Sequence, residues 1–109
     1  MAKYEMKFMF DWAAGTCIWS INEAAREKYG YCVEFNSLPI SQELLNVLEK
    51  LCDQYDQALD WKSPSNGLIW SLEKQNIFVE EAKSVYKKLC NELGDDYNVI
   101  LWSNMFFSN

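Results

Sequence analysis

The 109-residue chain contains no histidine, a single arginine (Arg26), two prolines and four glycines. Without histidine it lacks the commonest general base, which excludes Ser-His-Asp and Cys-His nucleophile pairs. The glycines stand singly, and the chain has no G-x-G-x-x-G motif or Gly-rich phosphate loop. These absences exclude many hydrolase mechanisms and leave a nucleotide cofactor unsupported, so we expect no cofactor.

Long hydrophobic runs are also missing. Lys7 and Asp11 interrupt the apolar N-terminal stretch, which is too short for the core of a signal peptide. No segment approaches the roughly 18 apolar residues that indicate a membrane span. The sequence therefore predicts a cytoplasmic protein that does not contact a membrane.

The cysteines are too widely spaced for a metal site. They include no C-x-x-C pair, and a mixed Cys/His zinc site is impossible without histidine. We expect no metal ion and predict four buried free thiols in a reducing compartment: Cys17, Cys32, Cys52 and Cys90.

Positive charge is scarce, since 16 acidic and 10 basic residues give a net charge of -6. Nucleic-acid binding requires a basic face, because lysine and arginine must displace the counterions of the phosphates. The charge excludes direct nucleic-acid binding and favours a basic protein partner. It does not indicate an oligomeric state.

Half of the residues are hydrophobic and 16% are aromatic, which predicts a single globular domain over residues 1–109. Hydrophobic periodicity and capping residues predict the order of its elements. These are a strand over 4–12, a short helix after Asn22 ending at Gly30, a strand over 31–35, a helix from Ser41 to Trp61, a helix within Ser71–Leu93 and a strand over 97–103. We predict an α+β fold, with a small sheet including the N- and C-terminal strands packed against two long helices and one short helix.

The second predicted helix has an acidic strip beside its apolar face. At 100° per residue, its core positions share an arc of about 100°, and four carboxylates fall in a separate arc about 60° wide. Like charges at this spacing destabilise a helix slightly, so the arrangement opposes stability. It is either an ordinary solvated face or a docking surface for a basic protein. The candidate binding residues are Glu49, Asp53, Asp56, Asp60 and, as an aromatic anchor, Trp61.

The sequence contains further acidic and aromatic candidates. Asp95 and Asp96 are candidates for extending the acidic surface. Asp11 and Asp60, each followed by tryptophan, form a conceivable glycosidase-like acid and base pair. We favour a structural role for both, in a turn and at a helix end. The remaining tryptophans lie in apolar runs and are predicted to be core residues: Trp12, Trp19, Trp70 and Trp102.

A pattern of packing and turn residues over most of the chain resembles a known group of small bacterial proteins. The matching positions are Phe10-Asp11-Trp12, Gly15, Cys17, Trp19-Ser20, Asn22, Gly30-Tyr31, Leu38-Pro39, Ser41, Tyr55-Asp56, Leu59-Asp60-Trp61 and Pro64. The group comprises immunity proteins of contact-dependent growth inhibition and related polymorphic toxin systems. The resemblance implies a small cytosolic inhibitor of a toxin domain, frequently a nuclease. It supplies no binding residues.

Both arguments favour a protein without catalytic activity that binds a basic toxin domain. The resemblance implies that this domain is a nuclease. Two alternatives stay open. One is an acidic adaptor or regulatory protein that binds a basic partner, and the other is a small hydrolase that uses Asp11 and Asp60.

Overall fold

A computed structural model describes residues 2–12, 14–58, 62 and 69–101. In chain order it contains strands β1 (Tyr4–Phe8) and β2 (Ile18–Ser20), helix α1 (Glu23–Tyr29), a 3-10 turn (Phe35–Ser37), helices α2 (Gln42–Asp56) and α3 (Leu72–Leu93), and strand β3 (Tyr97–Leu101). The predicted α+β fold, with the first and last strands in one sheet beside two long helices and a short one, is confirmed.

Strand β1 lies at the centre of the sheet, antiparallel to β2 and parallel to β3. Its alternating sequence buries Tyr4, Met6 and Phe8 on one face and leaves the side chains between them half-buried on the other. In β3 only Val99 is buried, and Ile100 on the outer face is 43% exposed. The helices therefore cover one face of the sheet.

Asn22 caps α1 and also joins the helix to the sheet. Its Oδ1 accepts hydrogen bonds from the backbone N–H groups of Ala25 (3.0 Å) and Glu5 (3.2 Å), and its Nδ2 donates to the carbonyl of Lys3 (3.1 Å). At the other end, Gly30 adopts a φ of 78°, which a residue with a Cβ rarely adopts. Both predicted ends of this helix are confirmed.

The prediction was wrong for residues 31–35 and missed β2. The chain at 31–33 only borders β2, with a single bridge from Cys32 to Trp19, and it then enters the 3-10 turn. The prediction for 31–35 rested on β-branched and aromatic content, whereas strand pairing depends on the neighbouring chain. At three residues, β2 is too short to show a periodicity.

Each of the two long helices begins at a serine cap, and the start predicted at Ser41 is confirmed. The Oγ of Ser41 accepts from the N–H of Leu44 (3.1 Å), and the Oγ of Ser71 accepts from the N–H of Lys74 (3.2 Å). Helix α2 ends at Asp56, earlier than the predicted Trp61. The carboxylate of Glu92 near the end of α3 accepts from the backbone N–H of Ser41 (2.6 Å), so the helices run antiparallel.

The sheet and the helices enclose one hydrophobic core, in which Met6, Phe8, Ile18, Leu48, Leu51 and Leu89 are fully buried. Trp19 is buried as predicted, whereas Trp12 and Trp70 are half-buried against the core and Trp102 lies outside the described residues. All four cysteines are free thiols, but the prediction that all are buried was wrong. Cys32 is exposed and Cys90 is half-buried.

Candidate partner-binding surface

Helix α2 separates its carboxylates from its buried stripe, as the helical spacing predicts. The stripe packs into the core through Leu44, Leu48, Leu51, Cys52 and Tyr55. Glu49 and Asp53 are exposed, and Asp56 is half-buried. Glu49 and Asp53 form no ion pair with another described residue. The structure thus brings three of the predicted binding residues to one side of α2, and we call Glu49, Asp53 and Asp56 the acidic strip.

The other two predicted binding residues, Asp60 and Trp61, lie outside the described residues. The α-helix ends at Asp56, and the N–H of its capping residue Gln57 bonds to the carbonyls of Asp53, Gln54 and Tyr55. The helical spacing that grouped Asp60 with the acidic strip therefore stops four residues before it.

The end of α2 carries negative charge where the helix dipole disfavours it. Asp53 and Asp56 occupy the last turn, and this turn contains no basic residue. The carbonyl end of a helix has a partial negative charge, so carboxylates here oppose helix stability by a few tenths of a kcal/mol each. A partner that supplies positive charge at this end would relieve the repulsion.

Aromatic rings pack against the buried side of the last turn of α2, which carries Asp53 and Asp56. The ring of Tyr55 stacks on Trp12 at 5.1 Å and on Phe10 at 5.4 Å, centroid to centroid. The indole Nε1–H of Trp12 donates to the carbonyl of Tyr55 (3.1 Å). Phe78 of α3 meets the edge of Phe10 at 5.1 Å, and Trp70 lies 5.6 Å from Phe78. This aromatic layer, consisting of Trp12, Tyr55, Phe10, Phe78 and Trp70, connects the end of α2 to the start of α3.

The environment of Tyr55 places a further carboxylate near the acidic strip. Burial raises the pKa of Tyr55 to about 12, and the negative charges of Asp11 and Asp56 contribute to the increase. Both carboxylates therefore act on one phenol. Asp11 is exposed, and its side chain accepts from the N–H of Trp12 (2.9 Å). Sequence spacing could not associate Asp11 with α2, because the two are distant in the chain.

Other acidic residues lie at different places around α2. Glu34 and Glu49 border one depression beside the 3-10 turn, which brings Glu34 to the flank of the acidic strip. Asp95 and Asp96 follow the end of α3, which Glu92 joins to Ser41, the N-cap of α2. They are therefore at the opposite end of α2 from Asp56 and do not extend the strip there.

A comparison with known protein families identifies the chain's relatives. The family described as Serratia CdiI immunity protein-like matches residues 4–104. The chain belongs to this family. No curated protein sequence matches the chain.

Membership of an immunity protein family confirms the resemblance inferred from the sequence and supports a role in toxin immunity. It also implies an inhibitor without enzymatic activity. No helix within the described ranges is long and apolar enough to cross a membrane.

The described chemistry gives the hydrolase alternative little support. The Asp11 carboxylate bonds the adjacent amide, and Asp60 lies outside the described residues. Burial raises the pKa of the Cys17 thiol well above its ordinary value, with the neighbouring Cys52 adding to the effect, which suits a packing residue and not a nucleophile. Within residues 2–12, 14–58, 62 and 69–101, no three histidine, cysteine or acidic side chains are placed to hold a metal ion.

A second group of surface residues lies outside the candidates predicted from the sequence. The buried stripe of α3 runs from Phe78 through Ala82, Val85 and Leu89 to Leu93. Leu72 and Ile77 lie off this stripe and are 70% and 60% exposed. The sequence did contain a signal for the exposure of Ile77. At 100° per residue, Ile77 lies about 100° away from Phe78 on the helix surface and therefore outside the buried stripe. Apolar residues outside the stripe of an amphipathic helix are candidates for contact with a partner.

Proposed function

We propose that the protein is a cytoplasmic immunity protein that binds a cognate toxin domain and neutralises it. The observation that carries the proposal is the family match over residues 4–104. We further propose that the acidic strip, together with Asp60 and Trp61, forms part of the toxin-binding surface.

The chemistry of the strip fits a basic toxin, of which a nuclease is our preferred kind. A nuclease presents lysine and arginine around its nucleic-acid site, because it must bind phosphates. Exposed carboxylates attract such a site over long distances and raise the association rate, which suits an inhibitor that must act before the toxin does. The strip would either cover the active site or bind beside it.

The structure also favours binding without a large rearrangement. Each acidic residue of the strip lies on a helix whose inner face is buried, and the aromatic layer supports its last turn. A surface already held in one conformation loses little entropy when it binds. The slight loss of helix stability from adjacent carboxylates is then tolerated for the sake of recognition.

The binding probe is the C-terminal domain of the protein encoded by the gene immediately upstream, where the proposed function expects the cognate toxin. The affinity of the wild-type protein is compared with that of a triple variant, Glu49→Gln, Asp53→Asn and Asp56→Asn, at low and high salt. We expect the triple variant to bind at least about 10-fold more weakly at low salt and to show a smaller salt dependence. Asp60→Asn and Trp61→Ala are measured separately.

A matched control removes the same charge elsewhere. Glu27, Asp95 and Asp96 are exposed and lie away from the acidic strip, so Glu27→Gln, Asp95→Asn and Asp96→Asn change the net charge equally. Equal weakening by both triple variants would show that net charge alone matters and would contradict the proposed surface. Absence of binding by the wild-type protein would contradict the immunity function itself and would favour the adaptor alternative.

A further inference from the structure

The start of α3 exposes an unusual amount of apolar surface. Ile69 is 60% exposed, Leu72 is 70% exposed and Ile77 is 60% exposed. Of the five exposed large hydrophobic side chains in the described part of the chain, these three lie within nine residues of one another. Single exposed apolar residues are common on protein surfaces, but a concentration of them marks an interaction site.

Two of these side chains, Leu72 and Ile77, share one depression with polar neighbours. Leu72, Glu73, Asn76, Ile77 and Glu80 line one shallow depression on the outer face of the first two helical turns. We call these five residues the α3 strip. Ile77 also borders a second depression, which Trp70 and Gln57 help to line. Gln57 follows Asp53 by one helical turn, so the α3 strip continues towards the acidic strip of α2.

Local hydrogen bonds fix the backbone beneath the α3 strip. The N–H of Ile69 donates to the carbonyl of Ala58 (2.8 Å), which joins this segment to the end of α2. The Nε2 of Gln75 donates to the carbonyl of Trp70 (3.0 Å), and the Ser71 cap starts the helix. The exposed side chains of Leu72 and Ile77 therefore project from a capped helix, and Ile69 precedes it on a backbone bonded to the end of α2.

The charges around the α3 strip are mostly negative. Glu73, Glu80 and Glu81 are exposed at its centre and edge. The nearby positive charge of Lys74 is positioned over the Trp70 ring, with Nζ 4.8 Å from the ring centroid. An apolar surface with an acidic border is complementary to an apolar surface bordered by lysine and arginine.

We propose that the α3 strip is a second part of the toxin-binding surface and contacts an apolar face of the toxin bordered by basic residues. This inference rests on the proposed immunity function. Leu72 and Ile77 would supply contacts that exclude water, and Glu73 and Glu80 would pair with the basic border. In a twofold dimer centred on this strip, the same carboxylates would face each other, and their repulsion disfavours a second copy of the chain as the occupant.

The test measures binding kinetics to the same C-terminal domain encoded upstream, the expected toxin. Leu72→Gln combined with Ile77→Gln removes the apolar side chains but keeps residues that favour a helix. We expect this double variant to weaken binding at least about 10-fold, mainly through faster dissociation. The matched control is Ile100→Thr, which removes an exposed apolar side chain from the outer face of the sheet. It should change the affinity less than about twofold.

A second variant keeps the test decisive if the double variant is unstable. Asn76 is exposed at the centre of the α3 strip, so Asn76→Arg adds a positive charge where the proposed partner is basic. We expect at least about 10-fold weaker binding with an unchanged thermal transition.

The outcomes separate this inference from the proposed function. Wild-type affinity in both the double variant and Asn76→Arg would overturn the α3 strip as a toxin contact and leave the immunity function standing. Failure of the wild-type protein to bind the toxin would overturn both. If sedimentation showed a wild-type dimer that the double variant abolished while toxin binding stayed unchanged, the strip would be a self-association surface and the inference would be wrong.

Discussion

The two long helices lie side by side over the same sheet and begin with the same kind of cap, but they present different chemistry to solvent. Helix α2 exposes Glu49 and Asp53, and its large apolar side chains are buried or half-buried. The first two turns of α3 expose Leu72 and Ile77 between carboxylates. Both regions pack against the same aromatic layer, so they differ in surface chemistry but share their buried contacts.

This difference separates two tasks that a fast and tight inhibitor must perform. Exposed carboxylates act over roughly a Debye length and therefore influence how often the partners meet. Apolar side chains act only in contact, where they exclude water and influence how long the complex lasts. Under the proposed function, α2 would mainly promote association and the start of α3 would mainly slow dissociation.

The largest expected effect comes from the shared aromatic layer. Phe78→Ala removes a buried ring that contacts Phe10 and Trp70, and it should lower the free energy of unfolding by about 3–5 kcal/mol. Leu89→Ala, in the second half of α3, should cost about 2–5 kcal/mol. Urea denaturation checks both values.

Toxin binding by the folded fraction then distinguishes the two core variants. We expect Phe78→Ala to weaken binding more than Leu89→Ala, because only Phe78 underlies both surfaces. Equal binding by the two variants would contradict the idea that the aromatic layer supports both binding surfaces.

A kinetic comparison tests the division of tasks directly. Glu49→Gln with Asp53→Asn should lower the association rate constant several-fold and reduce its dependence on salt. Leu72→Gln with Ile77→Gln should raise the dissociation rate constant by about 10-fold, equivalent to about 1.4 kcal/mol. Surface plasmon resonance at two salt concentrations measures both constants. The reverse assignment of the two effects would refute this division.

The helix caps should differ in strength although both are serines. Ser41 caps α2, and its Oγ also donates to the carboxylate of Glu92 (2.9 Å), whereas Ser71 caps α3. We expect Ser41→Ala to cost about 1–2 kcal/mol of unfolding free energy and Ser71→Ala about 0.5–1 kcal/mol. Chemical denaturation provides the values. Adding Glu92→Gln to each serine variant should show coupling only with Ser41, and additive effects in both pairs would disagree with this contact.

The smallest expected effect concerns the dipole of α2. Asp53 is exposed in the last turn and Glu43 is exposed in the first turn. Asp53→Asn should stabilise the protein by a few tenths of a kcal/mol, and the matched change Glu43→Gln should destabilise it by a similar amount. Thermal denaturation at low salt measures the opposite signs. Stabilisation by both changes would instead indicate general relief of the net negative charge.

Local sequence determined the starts of the helices well, because their caps depend on nearby residues. Asn22, Ser41 and Ser71 each cap the helix that follows through a side-chain bond to a backbone N–H three residues later. The alternation in β1 and the buried stripe of α3 likewise follow from the period of each element. These features could be predicted because the interactions that cause them lie within a few residues in the chain.

The wrong predictions, for β2, residues 31–35 and Cys32, concern features that depend on residues distant in the chain. Strand β2 exists because Ile18, Trp19 and Ser20 pair with Phe8, Lys7 and Met6 of β1. Residues 31–35 have suitable composition, yet the bridge from Cys32 to Trp19 is their only strand-like pairing. Cys32 was predicted to be buried because free cysteines usually are. It is exposed because its segment borders β2 at the surface. Pairing and exposure depend on distant residues, which a local pattern does not specify.

For the candidate site, the sequence by itself determined that Glu49, Asp53 and Asp56 share one side of a helix, because a fixed rise and rotation per residue relate them. The grouping of Asp60 and Trp61 with them stays a prediction. Only the tertiary structure decided that Asp11 acts on the same tyrosine as Asp56, and that the exposed start of α3 lies beside the end of α2. Those relations arise from packing between separate segments of the chain. Such contacts depend on how all the elements pack together, which local spacing does not specify.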